Sequence, residues 1–533
     1  MSDASEDGEK VGKGEHVVAS LRSNSVADKT AFLASFTAEE DRAIMTKVDC
    51  RFLWLIELMY LIKNIDYTNA ASVKVLQVGQ PTNILKQLNM KSNQYNWVQS
   101  IYFVCFPKHH FFNSLTNSQI AYIIFEIPSN LLLKKATPRN WQFRIIFSWG
   151  VVLACHAAVK SKEGLYTARF FPGMMEAGIF PGVAAQLCSW YRSDEVGKPI
   201  MWMFRFQNCA GIVGSLLAYG ISYLDQKGGM SAWQWVYLLE GIGTIFFSGV
   251  VYFVLPDYPK SEGSGKWLSI REQEYLELRI SENAPKTEDS AFTKKEIWAS
   301  IRDPRTYGFM LSQLLINLGG YGLQWQLPTV TTSLGFAGLP RNQLLNIPPA
   351  AATVLAIIFA GWFLKRAYIT RPAMIMGICT SALVFFIILA STTERVPVYI
   401  AVVFGTMFYS VFFIPFWAWR SSTLTGTTGT AFTLAFQSCV GQVGGVVGPQ
   451  LFQEKYAYNG YKVPFAICAA AIGLSGVTSA WTWFLTRNVE WDVLRVRRLR
   501  IKAEREGCVF TGDDVRVFEE RVFYDGLGKK EAL

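Results

Sequence analysis

The chain has 533 residues, of which 51% are hydrophobic and 14% aromatic, with a mean hydropathy of +0.20. Charged residues make up 17%, below the ~25% of ordinary globular domains. That balance excludes a soluble protein of this size and predicts an all-α integral membrane protein. The net charge of +10 does not indicate nucleic-acid binding, because no Lys/Arg stripe interleaved with aromatic residues is present. The excess flanks apolar segments and collects in the C-terminal run RVRRLRIKAERE (495–506), where basic residues orient a membrane protein. The nine cysteines lack paired or metal-like spacing, and Cys155, Cys209, Cys379, Cys439 and Cys468 sit in apolar runs. They read as small buried residues, with no disulfide framework, no metal site and no cofactor implied.

In chain order, residues 1–50 form a polar N-terminal tail without the apolar stretch of a cleavable signal. Insertion then falls to the first apolar segment of spanning length, 51–71. Further spans are predicted at 141–160, 165–190, 199–223 and 232–255. A polar block, 256–304, mixes acids and bases with Pro, Gly and Ser. Six more spans follow, at 305–333, 346–365, 371–392, 396–419, 428–452 and 463–486, and the tail 487–533 reads as soluble and at best amphipathic.

The second span is anomalous. Residues 94–103 and 120–133 each have the length of half a membrane helix, roughly 15 and 21 Å against a ~30 Å core. Between them lies VCFPKHHFFNSLTNSQ, 104–119. Its removal fuses the halves into one span and restores the parity that puts both termini on one side. Its 16 residues correspond to 48 nucleotides. Val104-Cys105 can be encoded by a GT donor, Leu115-Thr116 by a CT-N-AC branch sequence, and Gln119 by a CAG acceptor. The segment is therefore read as a retained intron. The alternative is a re-entrant break whose histidines line a pathway, although a lipid-facing break leaves backbone groups unpaired.

With that repair the chain has twelve transmembrane helices in two six-helix bundles, 51–255 and 305–486, joined by a cytoplasmic loop. The basic tail and the mixed central block place both termini in the cytoplasm.

One stretch carries expensive charges. In RFFPGMMEAGIFPGVAAQLCSWYR (169–192), Arg169 and Glu176 stand seven residues apart, on one helical face with Gly173 between them. Charges at that depth mark a functional site by default, although a structural Arg–Glu pair between helices is the plainer alternative. A carboxyl in an apolar wall can take up a proton and release it as its exposure changes. Pro172 removes a backbone donor beside Arg169 and is expected to bend the helix there. Arg205, in the fifth span, reads as a second anion contact or as a side chain snorkelling to the surface. In the second half, Gln313, Asn317, Tyr321, Gln324, Tyr409, Trp417, Gln437 and Gln442 suit hydrogen bonding and stacking with a small polar ligand, or contacts between helices. Gly441, Gly444, Gly445 and Gly448 read as close-packing positions.

Several stretches resemble a family: IDYTNAAS (65–72), FEIPSNLLLKK (125–135), RFFPGMMEAGIFPG (169–182) with SWYR (189–192), LLEG (238–241), LPDYP (255–259) with WLS (267–269), and GPQLF (448–452). With six plus six spans they resemble the major facilitator superfamily (MFS) of secondary transporters, and more narrowly its fungal allantoate permease family, the anion:cation symporters. The resemblance implies an MFS fold and a proton-coupled importer of a small organic anion, such as a vitamin or ureido-acid carboxylate. It implies alternating access around a site near the midplane, in a multi-pass protein of the plasma membrane that acts as a monomer.

On that reading Arg169 binds the anion by charge-assisted, bidentate hydrogen bonds, and Glu176 couples the proton by competing for the arginine until it is protonated. Asp66 and Asn69 join the substrate site or cap a helix end. The family's arginine after the aspartate is here Tyr67, and Lys63, on the same side one turn earlier, could supply the cation. Gln313, Asn317, Tyr321 and Gln437 are further substrate contacts. Glu126, Lys134 and Lys135 form a conformational gate at the loop after the second span, or serve capping and topology. The alternatives in function are an exporter of a fungal secondary metabolite and a non-transporting nutrient sensor. Drug–proton antiporters of the superfamily carry a Gly-Pro motif in the fifth span, and 208–220 has no proline. The short central block and tails leave little room for a signalling domain. No HExxH, no His–carboxylate cluster outside 104–119 and no nucleophile elbow is present, so an enzyme is not expected.

Overall fold

A computed structural model describes residues 32–33, 35–102, 137–176, 178–191, 195, 197–261, 263–280, 294–335, 340–424 and 427–506. Among the described residues the regular structure is entirely helical. The segment 104–119 and Glu126, Lys134 and Lys135 lie outside them.

In the first half, α1 (Ala38–Val48) leads through a π turn into α2 (Trp54–Val73), followed by α3 (Ser92–Tyr102), α4 (Pro138–Cys155), α5 (Lys162–Glu176), α6 (Ile179–Trp190), α7 (Gly197–Ile221) and α8 (Ala232–Val254). Two short helices, α9 (Ile270–Leu278) and α10 (Lys294–Arg302), lie in the central block. The second half comprises α11 (Pro304–Ser333), α12 (Ile347–Lys365), α13 (Arg371–Ser391), α14 (Arg395–Ser421), α15 (Thr427–Leu451) and α16 (Lys462–Glu506).

Among the described residues, five helical stretches combine spanning length with high mean hydropathy: Ala232–Val254, Arg341–Lys365, Arg371–Ser391, Arg395–Ser421 and Lys462–Leu499. They carry large apolar side chains outward, with Phe246 and Phe253 77% and 82% exposed, as a lipid-facing surface requires. Long helices such as α2 and α11 are less apolar because they bury polar residues inward: Asp66 and Asn69 on α2, Gln313 and Asn317 on α11.

Within the first half α8 packs on α4 and α7 on α2; within the second, α11 packs on α15 and α16, and α13 on α14 and α16. The α11–α15 contact depends on glycine. A Cβ on Gly444 would meet the Leu314 carbonyl and the Leu318 amide at 2.7 Å, and one on Gly448 the Leu318 carbonyl at 2.6 Å. Backbones approach this closely only where side chains are absent. The halves meet through α7 on α12, α3 on α15 and α2 on α11.

In the fourth span α5 runs through Pro172 and is described as far as Glu176, and α6 starts at Ile179 with Gly178 as its N-cap. At the other end of the chain, α16 continues for about five turns beyond Arg487, to Glu506.

Candidate functional site

A cavity of about 130 Å³ lies between the two halves. From the first half, Tyr60, Lys63, Asn64 and Tyr67 of α2 and Met203, Phe204, Gln207 and Asn208 of α7 face it. From the second come Gln313, Asn317, Tyr321 and Gln324 of α11, Tyr409, Ser410, Phe413 and Trp417 of α14, and Ser438 and Gln442 of α15. On α2 the lining residues Tyr60, Lys63, Asn64 and Tyr67 follow the three-and-four spacing of one helical face, so that face of a buried helix is polar.

The lining is fixed from behind. Asn317 donates from Nδ2 to the Gly441 carbonyl (2.9 Å) and accepts from the Tyr409 hydroxyl at Oδ1 (3.2 Å). Gln437, fully buried, donates to Gln313 Oε1 (2.9 Å) without itself lining the cavity. Aromatic rings form a chain across the two halves. Tyr67 meets Tyr321 and Tyr321 meets Tyr409, each at 6.2 Å between centroids; Tyr409 meets Phe413 at 5.5 Å and Phe413 meets Phe204 at 5.9 Å.

Among the described lining residues Lys63 is the one cation. Its ammonium lies 4.0 Å from Glu176 Oε2, on the last turn of α5. The sequence singles out Glu176, and identifies Lys63 only as a neighbour of Asp66; the structure joins Lys63 to Glu176 instead.

Arg169, Asp66 and Asn69 sit one layer deeper in the first half, outside the lining. The Arg169 guanidinium donates from Nη2 to the Tyr237 hydroxyl at 2.9 Å and lies 5.1 Å from the centre of that ring. His156 also packs on Tyr237, its ring 5.0 Å away, and its Nδ1 pairs with the Val152 carbonyl. Asn69 donates from Nδ2 to Glu240, which is buried like Asp66 and Arg169. Glu240 is a site residue that sequence reasoning did not select, although a lone acid within the 23-residue apolar α8 is the kind of signal that marks one.

Arg205 lies apart from these groups. Its guanidinium stacks 3.3 Å over Trp202 on the same helix, and it does not line the cavity.

The model of the Major Facilitator Superfamily matches residues 68–449. The chain belongs to the Major Facilitator Superfamily. Family and fold are those of multi-pass membrane transporters, not of enzymes. "MFS-type transporter cnsO" of Penicillium expansum is 28% identical over 95% of this chain and 96% of its own length. A "Putative tartrate transporter" of Agrobacterium vitis is 25% identical over 76% of this chain and 87% of its own. Among solved structures, a variant of the E. coli fucose:proton symporter FucP superposes with a TM-score of 0.56 at 11% identity, covering 81% of this chain and 98% of that one. A bacterial homologue of the human lysosomal transporter Spinster gives 0.55 at 13% identity over 83% and 97%. These two likenesses concern the fold.

Proposed function

We propose that this chain is a proton-coupled importer of a small organic anion, working as a monomer by alternating access between two six-helix bundles. The observation that carries the reading is Lys63, one ammonium facing a cavity of amides and aromatic rings, with Glu176 beside it. While Glu176 is ionised it holds the ammonium. A proton on Glu176 ends that competition and leaves Lys63 to a substrate carboxylate, so proton and anion enter the site together. Release reverses the exchange. Lys63 thus takes the anion-contacting role for which Arg169 is the sequence candidate. Arg169, Asp66, Asn69 and Glu240 are assigned to position α2 from behind and to hold charge balance in its interior.

The relative named for tartrate supports an anionic substrate, and the motifs quoted above support the narrower placement among the allantoate permeases. The basic C-terminal run supports cytoplasmic termini. Gln313, Asn317, Tyr321 and Gln437 are proposed to shape the substrate pocket, the first three directly and Gln437 through Gln313. Glu126, Lys134 and Lys135 remain a proposed gate on sequence grounds.

The test is carboxylate uptake into proteoliposomes with an imposed pH gradient. Glu176→Gln mimics the protonated acid, so it should bind anion and exchange it across the membrane but fail to concentrate it. Uphill accumulation by that variant at the unmodified level would overturn the coupling role.

A further inference from the structure

We infer that the substrate is a monocarboxylate borne on a single planar six-membered ring, a specification that rests on the anion-carrier reading above. Three observations converge on it.

The first is size. A cavity of about 130 Å³ is close to the engineered cavity of about 150 Å³ that takes up benzene. One six-membered ring fills such a space.

The second is the wall. The rings of Tyr67, Tyr321, Tyr409, Phe413 and Phe204 follow one another at 5.5–6.2 Å from one half of the molecule to the other. Their mutual angles run from 14° to 89°, so the wall combines stacked and edge-on rings, the two arrangements aromatic partners use. The Tyr409 ring is held in place by contact with α11, since a Cβ on Gly320 would overlap it.

The third is charge. The described lining supplies one ammonium, Lys63, already matched by one acid. With that acid protonated the wall carries one net positive charge, which neutralises one carboxylate. A dicarboxylate would bring a second charge to a lining that offers it no second cation among the described residues, which is unfavourable. Lys63 and Tyr67 are one turn apart on α2, about 6 Å along the axis, so a ring among the aromatics can direct its carboxylate to the ammonium. The Gln313 amide nitrogen, whose partner oxygen accepts from Gln437, is placed on the cavity wall to donate to a polar atom of the ring.

The experiment is calorimetric titration of the purified full-length protein with benzoate, cyclohexanecarboxylate and tartrate, followed by uptake of each ligand in proteoliposomes against protein-free controls. Benzoate is expected to bind at least about tenfold more tightly than cyclohexanecarboxylate, which has the same charge but a puckered ring. Tartrate is expected not to compete. Tyr321→Leu should bring the benzoate to cyclohexanecarboxylate ratio toward one, with Tyr67→Leu as a second variant if the first does not fold. Equal binding of the two ring acids by the unmodified protein, or tartrate binding as tight as benzoate, would overturn the inference. The two levels of the reading separate cleanly. Benzoate bound but never accumulated by a pH gradient leaves the ligand class standing and removes proton-coupled import. Tartrate bound and accumulated does the opposite, and absence of binding by all three removes both.

Discussion

Arg371 and Glu490 show what a buried charge demands of its surroundings. The two side chains are 7% and 1% exposed, and Arg371 donates from Nη2 and Nε to the two Glu490 oxygens at 2.7 and 3.1 Å. Two more donors reach the Ala418 carbonyl and Ser422 Oγ, so four of the five guanidinium N–H groups are used. Arg371→Ala leaves a carboxylate buried alone and should lower unfolding stability by about 3–5 kcal/mol. The double variant Arg371→Met/Glu490→Leu should lose less, because no unpaired charge remains. Denaturant unfolding of the purified protein in detergent checks the order, and a double variant less stable than the single one would contradict it. The same logic explains what sequence reading can and cannot reach at this scale. A charge inside an apolar run is visible as an anomaly, and Arg169 and Glu176 stand out on that ground. Its partner is set by which helix face comes opposite. Hence the Lys63–Glu176 pair and the Asn69–Glu240 bond, both between different helices, cannot be assigned from spacing within one helix.

Elements are more legible than partners, because an apolar run ends where charges, prolines or polar clusters begin. The runs at 232–255, 371–392 and 396–419 correspond to helices Ala232–Val254, Arg371–Ser391 and Arg395–Ser421. The start of α6 at Ile179, with Gly178 as its N-cap, is not expected from the sequence, where Pro172 beside a charge is more conspicuous. The helical continuation of α16 beyond Arg487 is also hidden: hydropathy drops there, yet Arg497 and Arg498 donate to the carbonyls of Leu364, Ala367 and Tyr368 and tie it down. The second span raises the remaining question at this scale. α3 is described as far as Tyr102. In the sequence, residues 94–103 and 120–133 each have the length of half a membrane helix, and removal of 104–119 fuses them into one span, the ground for reading a retained intron. Sequencing of the mature message should find the 48 nucleotides absent; their presence in every read would establish the insert as part of the protein.

At the scale of the whole molecule, a carrier must be able to separate its halves at one end and then at the other. The contacts that hold one end shut are concentrated on α3. Asn96, almost fully buried, donates from Nδ2 to the Phe452 carbonyl at 3.1 Å and accepts at Oδ1 from Trp325 Nε1 (3.3 Å) and Lys74 Nζ (3.4 Å). One turn on, Ser100 donates to the Val446 carbonyl at 3.0 Å and accepts from Gln450 Nε2 at 2.8 Å. Polar contacts suit a joint that opens repeatedly, because each group can exchange its partner for water, whereas a large apolar contact would resist separation. Asn96→Ala removes three of these bonds at once and leaves the Trp325 N–H and the Phe452 carbonyl without their partner. At about 1 kcal/mol net for each bond, the closed arrangement should lose tenfold or more of its population relative to the arrangement open at this end. Spin labels at Val78 and Tyr458, both exposed and placed one on each half just beyond α2 and α15, report that separation. The distance distribution should gain a longer component in Asn96→Ala that is minor in the unmodified protein. An unchanged distribution, in a variant that folds and binds ligand, would mean that the joint is held by the packing of α7 on α12 rather than by Asn96, and the site of opening would have to be sought along that contact.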